Sequence, residues 1–426
     1  MRLQDIGNKS VCILGFGKEG KATLKALERH APDSKITIAD SLADIDTGSY
    51  PQQTGENYLK NLDRFDLIIK SPGIPPQPEF EKVASKITNA TQIFLDSAQG
   101  SGSTIIGITG SKGKSTTSAL IHAILNEAGK VSFLIGNIGN PALTYIDKSS
   151  PDTFFVIEMS SYQLMDITAS PHIAVLTSFF PEHLDYHGGL EKYFKAKQHI
   201  TRFQKTGDTV FYNQESPECQ QMAELSPGTK VAFSSDDFPL DPAETNLLGT
   251  HNTTNAAAAY KVATHLGIDS EISLKAIRTF PGLPHRLQLL GRHHEIDWVD
   301  DAISTTPESA IVALQALAGR VNTLIVGGLD RGYNFEELAK EIVSSSVENI
   351  IVLPGSGSTI QEAIEEVATR PINFFPAGSM EGVVKIAKEH TKPGTICLLS
   401  TASPSYNLFI SFEDKGNQFL YYITKP

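Results

Sequence analysis

Residues 104–116 read TIIGITGSKGKST, and this stretch decides the fold class of the chain. A run of mostly β-branched residues ends in a loop of glycine and lysine, and Leu120, Ile121, Ile124 and Leu125 follow at helical spacing. A strand, a glycine-rich loop and a helix in this order are typical of a phosphate-binding loop on a parallel sheet. The stretch therefore predicts an α/β domain that binds a nucleotide.

The loop contains the groups that hold a nucleoside triphosphate. Backbone amides at the helix N-terminus bind phosphate oxygens, Lys114 neutralises their charge, and Ser115 offers a hydroxyl to Mg²⁺. The full pattern GxxxxGK[ST] fails at one position, because Ile108 stands where its first glycine belongs. The alternative is a plain surface turn, but the strand and helix around the loop favour the nucleotide site.

Similar strands recur along the 426 residues in three sets, separated by helical segments. The first set is Val11–Gly15, Ile36–Asp40 and Asp66–Lys70; the second is Thr104–Thr109, Thr153–Glu158 and Ile173–Ser178; the third is Thr323–Gly327, Asn349–Leu353, Ile372–Phe375 and Thr395–Ser400. A flexible linker is predicted at 99–103, and a Pro/Gly-rich boundary lies at 280–286. We expect three α/β domains, at 1–98, 99–283 and 284–426.

Composition excludes several classes of protein. The chain has 36 Lys and Arg against 48 Asp and Glu, a net charge of −12, which argues against a general binder of nucleic acid or of anionic membranes. Its 3 cysteines give neither a disulfide framework nor metal-binding spacing, so a reducing cytoplasm is expected. No apolar stretch is long enough for a signal peptide or a membrane span.

A second glycine turn, Gly15-Phe16-Gly17-Lys18-Glu19-Gly20, follows the first strand, and Asp40 ends the next one. This spacing matches a dinucleotide fingerprint and would suit an NAD enzyme. The same turn holds any diphosphate, and a structural helix entry is the simplest alternative. The phosphate loop elsewhere favours a nucleotide-linked substrate here.

Other candidates are weak individually. Glu158 ends an apolar strand and could ligate Mg²⁺, His183 follows another strand, and Lys195 and Lys197 lie one helical segment further on. Asn252 and Asn255 share a helix face from which they could contact adenine. The simpler interpretations are a strand-end carboxylate for Glu158, a solvated turn for His183, a solvated helix face for Lys195 and Lys197, and a helix cap for Asn252 and Asn255.

Taken in order, these motifs resemble the Mur ligases of peptidoglycan synthesis, and most closely the members that add glutamate. The resemblance covers essentially the whole chain. Its landmarks are Ser71–Gly73, the phosphate loop, Gly136–Gly139, Glu158–Leu164, the segments at His183 and His251, Gly282–Arg286, Gly327–Gly332 and Leu399–Ser405 with Phe412.

The resemblance implies a UDP-binding Rossmann-like domain, a central ATPase-like domain and a Rossmann-like C-terminal domain that contributes to adenine and glutamate binding. The activity it implies is an ATP-dependent ligation of glutamate, D-glutamate by default, to UDP-N-acetylmuramoyl-L-alanine through an acyl phosphate. ATP, two Mg²⁺ ions and a carbamylated lysine are the implied cofactors. A cytoplasmic monomer acting on small molecules, without nucleic-acid or membrane partners, is expected.

The resemblance also implies a role for each matching residue. ATP binding is expected at Gly110, Ser111, Lys112, Gly113, Lys114, Ser115, Thr116, Asn252, Asn255, Arg286 and Asp301. The UDP substrate is expected at Gly15, Gly17, Asp40, Ser71, Pro72, Gly73 and Asn137, and glutamate at His183, Thr305, Arg331, Ser405 and Phe412. Metal ligands are expected at Ser115, Glu158, His183 and carbamylated Lys197, with Lys195 the weaker candidate for the carbamate; Lys114, Glu158, His183, Lys197 and Asn137 form the expected catalytic set.

Three positions depart from the usual pattern of the resemblance. Lys112 replaces Asn, Glu182 replaces Asp, and Ile303 removes a lysine near ATP and the amino acid. A form of the ligase that adds L-glutamate is similar in the Ile303 region, so this form is the first alternative. Another Mur or folylpolyglutamate-type ligase is the second, and a nucleotide-binding scaffold without catalysis is the third.

Overall fold

The computed structural model describes residues 1–249, 251–317 and 319–425. Within these ranges, three α/β sheets follow one another along the chain. The chain divides into two compact units. The first unit comprises Met1–Leu240 and Thr253–Ile277, and the second comprises Asp241–Asn252 and Arg278–Pro426.

The first sheet has five parallel strands in the order β3-β2-β1-β4-β5. Its central strand is buried from Val11 to Leu14, as expected of a parallel strand covered on both faces. The strands are β1 Ser10–Leu14, β2 Lys35–Asp40, β3 Gln52–Thr54, β4 Leu67–Lys70 and β5 Ile87–Thr88, and the helices are α1 Lys18–His30 and α2 Ala90–Gly100, with 3₁₀ turns at Leu3–Ile6, Gly55–Asn57, Leu62–Arg64 and Pro78–Lys86.

The second sheet has six parallel strands in the order β11-β10-β9-β6-β8-β7. The strands are β6 Thr104–Thr109, β7 Val131–Gly136, β8 Thr153–Glu158, β9 Ile173–Leu176, β10 Thr209–Asn213 and β11 Thr229–Phe233. The helices are α3 Lys114–Glu127, α4 Ser161–Leu164, α5 Leu184–His187, α6 Leu190–Arg202, α7 Pro217–Ala223, α8 His251–His265 and α9 Ser270–Thr279, with 3₁₀ turns at Ala142–Lys148, Ser235–Asp237 and Pro242–Glu244.

Strand register in the second sheet gathers the loops that carry polar residues. Ile108 on β6 pairs with Glu158 on β8, and Thr109 pairs with Leu176 on β9. The carboxyl ends of these three strands therefore meet at one edge, where ligand loops of α/β sheets collect.

The third sheet has six strands in the order β12-β13-β17-β14-β15-β16, and only its β12–β13 pair is antiparallel among the described residues. Trp298 on β13 is fully buried in its core. The strands are β12 Gln288–His293, β13 Ile296–Asp300, β14 Val321–Val326, β15 Asn349–Val352, β16 Asn373–Pro376 and β17 Ile396–Leu399, and the helices are α10 Pro307–Ala316, α11 Glu336–Ser344, α12 Ser356–Val367, α13 Met380–His390 and α14 Phe412–Thr424.

All ten predicted strands are confirmed, most within one or two residues of their predicted limits. Among the described residues, seven further strands were not predicted, including β3, which is short and polar. The predicted linker at 99–103 is wrong: Gln99 and Gly100 complete α2, and Ser103 is buried with its hydroxyl bonded to Ser150 O. The first two sheets share a hydrophobic core, and the domain limits near residues 98 and 283 stay predictions.

Candidate functional site

The phosphate loop joins β6 to α3 at the carboxyl edge of the second sheet. Gly110 and Gly113 have φ of +158° and +87°, and a Cβ on Gly110 would collide with the Thr177 side chain and the Ser178 backbone. Ser111 bonds the loop to its neighbours, since its hydroxyl donates to Phe180 O at 2.8 Å. The amides of Ser111 and Lys112 donate to Ser178, so the N-terminus of the 14-residue helix α3 is the part of this loop suited to binding phosphate.

Two lysine ammonium groups converge on one loop carbonyl. Lys114 Nζ donates to Gly110 O and Ser111 O, both at 2.8 Å, and Lys197 Nζ donates to Gly110 O at 2.8 Å. The convergence places positive charge under the phosphate loop, at the first position after β6. Lys114 supplies the cation that a bound polyphosphate requires.

Lys197 is the more deeply buried of these lysines. It lies on α6 with 1% of its surface exposed, and its ammonium packs 4.9 Å from the centre of the Tyr193 ring. Burial, reinforced by the charge of Lys114, lowers the pKa of Lys197 to about 7. Lys195, on the same helix, is exposed and paired with Glu191 at 2.6 Å. The environment thus favours Lys197 over Lys195 as the lysine with unusual chemistry.

Glu158 presents a buried oxygen atom to this region. It is 1% exposed at the end of β8, and Asn137 Nδ2 donates to its Oε1 at 2.7 Å. Among the described residues, no donor contacts its buried Oε2. A buried carboxylate oxygen without a partner is costly unless an ion or water occupies it, so this atom points to a cation.

His183 lies between β9 and α5 in a left-handed conformation, with φ of +55°. The Tyr162 ring lies 5.0 Å from the imidazole, centre to centre. Burial lowers the pKa of His183, and the charge of Glu182 opposes this effect while nearby lysines add to it. The lowered pKa favours the neutral imidazole, which is the form that ligates metals, although His183 itself is exposed.

Lys112 and Glu182, two departures from the resembled pattern, are paired with each other. Lys112 Nζ lies 2.6 Å from Glu182 Oε1, although the lysine is 76% exposed. The extra cation at the loop is thereby matched by a carboxylate one residue before His183.

Candidate metal ligands lie at the carboxyl edge of the second sheet. In the ranges that the structure describes, no three His, Cys, Asp or Glu side chains are grouped closely enough to hold an ion. The unpartnered Glu158 oxygen and the hydroxyl of Ser115, at the start of α3, are nevertheless oxygen ligands of the kind that Mg²⁺ prefers. Because Mg²⁺ keeps several waters and binds through one or two protein ligands, these residues fit it.

The N-terminal glycine turn is built like a diphosphate site. Asp40 Oδ2 accepts from the Phe16 amide at 2.7 Å, and Ser71 Oγ donates to Gly15 O at 2.9 Å. Gly20 packs against the Gly15 carbonyl so closely that a Cβ would not fit, whereas Gly17 faces open space. Asp40 and Ser71 therefore shape the turn, and a Cβ on Gly17 would meet no other atom within 4 Å.

The segment 71–75, which we name the Pro72 turn, follows β4 beside that glycine turn. Its carbonyl groups at Pro72 and Ile74 accept from the Tyr186 hydroxyl at 2.5 and 2.9 Å. Lys70, just before the turn, is 4% exposed and pairs with Asp166 at 2.9 Å. The turn is thus bonded to elements that follow β8 and β9.

The two asparagines on α8 have different surroundings. Asn255 is buried, and its Oδ1 accepts from Thr117 Oγ1 of α3 at 3.3 Å, which places it beside the phosphate loop. Asn252 belongs to the second unit and donates to Leu248 O at 2.7 Å. The simpler interpretation, helix capping, does not describe Asn255.

The second unit contains a buried polar network around Asp301. Burial raises the pKa of Asp301 to about 6, while donors from Ser304, Ser400 and the Leu287 amide oppose the rise. Asp300, next to it, accepts from His285 Nδ1 at 2.7 Å if that nitrogen carries the proton. Arg286 and Arg331 are exposed, and Thr305 is half-buried.

Lys415 connects this network to the residues predicted to hold glutamate. Its Nζ donates to Thr401 Oγ1 and Ser405 Oγ, both at 2.7 Å, and the side chain is buried at the start of α14. Phe412 is the first residue of the same helix. Ser405 is thereby bonded to the helix that Phe412 begins.

Sequence reasoning missed several of these residues. Tyr186 lies in the segment at His183 and His285 lies in Gly282–Arg286, but the sequence assigned no role to either residue, nor to Asp300 or Lys415. The usable signals are weak: Tyr186 lies three residues after His183, and Lys415 lies three residues after Phe412.

Comparison with known proteins was made for the whole chain. Residues 108–241 match the Mur ligase middle domain. The UDP-N-acetylmuramoylalanine--D-glutamate ligase of Streptococcus uberis is 33% identical, with 97% of this chain and 96% of that protein covered. The UDP-N-acetylmuramoyl-L-alanine--L-glutamate ligase of Salinispora tropica is 32% identical, with 98% of each covered. The MurF ligase of Thermotoga maritima, solved in complex with ADP, has the same fold, with a TM-score of 0.60, 16% identity and coverage of 100% of this chain and 97% of that one.

Proposed function

The chain belongs to the Mur ligase family, and we propose that it uses ATP to join D-glutamate to the carboxylate of UDP-N-acetylmuramoyl-L-alanine in peptidoglycan precursor synthesis. Relatives named for this reaction match nearly the full length of the chain. The observation that carries the proposal is the buried, unpartnered oxygen of Glu158 at the same sheet edge as the phosphate loop.

The first step transfers a phosphoryl group. An oxygen of the substrate carboxylate attacks the γ-phosphorus of ATP, the bond to ADP breaks, and an acyl phosphate forms. The loop amides and Lys114 hold the phosphates and neutralise their charge, so that the anionic carboxylate can approach them. The step needs this positioning and not a protein nucleophile. Asn137, whose amide orients Glu158, is assigned to contact the substrate near its carboxyl group.

The second step forms the amide. The glutamate amine attacks the acyl carbon, the tetrahedral intermediate expels inorganic phosphate, and the amine loses its proton. The neutral imidazole of His183 contributes to the position of the incoming amino acid. Lys114 continues to neutralise the charge on the leaving phosphate.

Mg²⁺ ions belong to this proposal. Ser115 and Glu158 would hold one ion, and His183 with carbamylated Lys197 would hold a second. When bound, they neutralise phosphate charge and polarise the oxygens on which charge develops. The chain's own contribution is to keep Glu158 oriented through Asn137 and to lower the pKa of His183 by partial desolvation.

The environment of Lys197 supports its proposed carbamylation. The neutral amine attacks CO₂, a nitrogen–carbon bond forms, and one proton is released, which converts a cation into a carboxylate-like ligand. A pKa of about 7 leaves about half of the amine neutral at pH 7, against about 1 in 3,000 at the ordinary value of 10.5. Lys197 is therefore prepared for the reaction.

The remaining residues complete the substrate sites. We assign adenosine to Asn252, Asn255, Arg286 and Asp301, and glutamate to Thr305, Arg331, Ser405 and the Phe412 backbone, together with His183. The uridine diphosphate lies at Gly15, Gly17 and the Pro72 turn, beside Asp40. A monomer working in the cytoplasm on soluble precursors is part of the same proposal; in the described residues, no helix is long and apolar enough to cross a membrane.

The test is phosphate release by the purified protein with ATP, UDP-N-acetylmuramoyl-L-alanine and either enantiomer of glutamate. Turnover that requires both the acceptor and D-glutamate supports the proposal. Turnover with L-glutamate alone would assign the chain to the L-glutamate-adding form, whose named relatives are 30–32% identical to it. ATP binding without turnover for any acceptor or amino acid would refute catalysis.

A further inference from the structure

Tyr186 joins two segments that the proposed function places at opposite ends of one substrate. Its hydroxyl bonds to the carbonyls of Pro72 and Ile74, in the turn assigned to uridine. Its backbone belongs to α5, the helical turn that begins directly after His183. One side chain therefore connects the uridine end to the reacting end.

The ring of Tyr186 is held from the other side by Tyr162. The two ring centres are 4.2 Å apart, and Tyr162 also lies 5.0 Å from His183 and 5.5 Å from His187, stacked on the latter within 9°. Tyr162 is on α4, which begins three residues after Glu158. The aromatic group thus spans the loops that leave β8 and β9.

Helix α5 depends on such contacts for its position. It has only 4 residues, too few to be stable without packing. One anchor is His187 Nε2, 2.9 Å from Ser161 Oγ, and the other is the Tyr186 hydroxyl on the Pro72 turn. Because His183 precedes the helix in a left-handed conformation, small displacements of α5 move its imidazole.

We propose that Tyr186 is a positioning residue that couples occupancy of the Pro72 turn by the uridine diphosphate group to the placement of His183. The inference rests on the proposed function. A ligand that orders the turn also fixes the carbonyls to which Tyr186 bonds, and the hydroxyl carries that constraint to α5. By linkage, a correctly placed His183 segment strengthens uridine binding by the same factor.

The test uses UDP as the probe, because UDP lacks the N-acetylmuramoyl-L-alanine part of the substrate, which carries the reacting carboxylate and which the proposed function places at the His183 end. Imidazole resonances of the full-length protein are recorded with and without UDP, and His183 is assigned by its loss in His183→Gln. Binding of UDP is measured by calorimetry on the same samples. Tyr186→Phe removes only the hydroxyl, and Tyr260→Phe, whose hydroxyl contacts Ser270 at 2.9 Å, is the matched control.

In the wild type and in Tyr260→Phe, UDP shifts the His183 resonances. In Tyr186→Phe, UDP still binds, with affinity reduced up to about tenfold, but the shift is lost. Phosphate release by Tyr186→Phe shows kcat reduced about tenfold with the KM for ATP unchanged, since Lys114, which holds the ATP phosphates, is anchored on Gly110 O and Ser111 O of the phosphate loop.

A His183 shift that persists in Tyr186→Phe overturns the coupling. UDP binding to the wild type without any shift at His183 also overturns it, while the ligase proposal stands. No binding of UDP to the wild type overturns the coupling together with the uridine site on which it rests. The three results are distinguishable because binding and resonance position are measured separately.

Discussion

The buried ammonium of Lys415 makes the stability of the second unit depend on pH, and Lys415→Met removes that dependence. The side chain is 1% exposed and donates to Thr401 and Ser405. Burial lowers its pKa from 10.5 to about 8, although the charges of Asp300 and Asp301 oppose the shift. The charged form is therefore less favourable in the folded state than in the unfolded chain.

The sign and size follow from proton binding. Between pH 8 and pH 10.5 the unfolded chain binds more protons at Lys415 than the folded one, so stability rises with pH across this window. Each pKa unit corresponds to about 1.4 kcal/mol. From pH 7 to pH 10, the free energy of unfolding of the wild type should rise by about 2.5 kcal/mol relative to Lys415→Met.

Urea unfolding followed by tryptophan fluorescence measures this difference. Trp298 is the sole tryptophan of the chain and is fully buried on β13, so its emission reports the third sheet. Lys385→Met, at an exposed position on α13, is the control and should retain the wild-type slope. Wild-type and Lys415→Met stabilities that change in parallel from pH 7 to pH 10 would refute the reasoning.

Three further predictions concern the first unit. Gly20→Ala places a Cβ against the Gly15 carbonyl, so we expect about 1–3 kcal/mol less stability in urea unfolding and weaker UDP binding in calorimetry; wild-type values for both would show that the turn has room. Lys197→Ala should release no phosphate until a short carboxylate such as acetate restores part of the activity, and full activity without it would exclude Lys197 from the metal site. Asn137→Ala removes the donor that orients Glu158, and the Mg²⁺ dependence of phosphate release should shift to about 10–100-fold higher concentration, whereas an unchanged dependence would contradict that role.

Much of the site was predictable because its signals are local. The run 104–116 predicts the strand, the loop and the helix together, since strand period, glycine spacing and helix period all agree over a few residues. Glu158 could be singled out because it ends an apolar strand. Strands β3 and β12, of 3 and 6 residues, could not be predicted, because their pairing with neighbours rather than their composition makes them strands.

The amino-acid sequence by itself was enough to predict the α/β class, the phosphate loop and the family resemblance, because these depend on residue order and on spacing within single elements. Only the tertiary structure decided which polar groups share an environment: Lys197 with Lys114 at Gly110 O, and Tyr186 with the Pro72 turn. The physical reason is that burial and hydrogen bonding join residues far apart in the chain. A lowered lysine pKa, an unpartnered carboxylate oxygen and a bridging hydroxyl arise only when folding brings those residues together and excludes water.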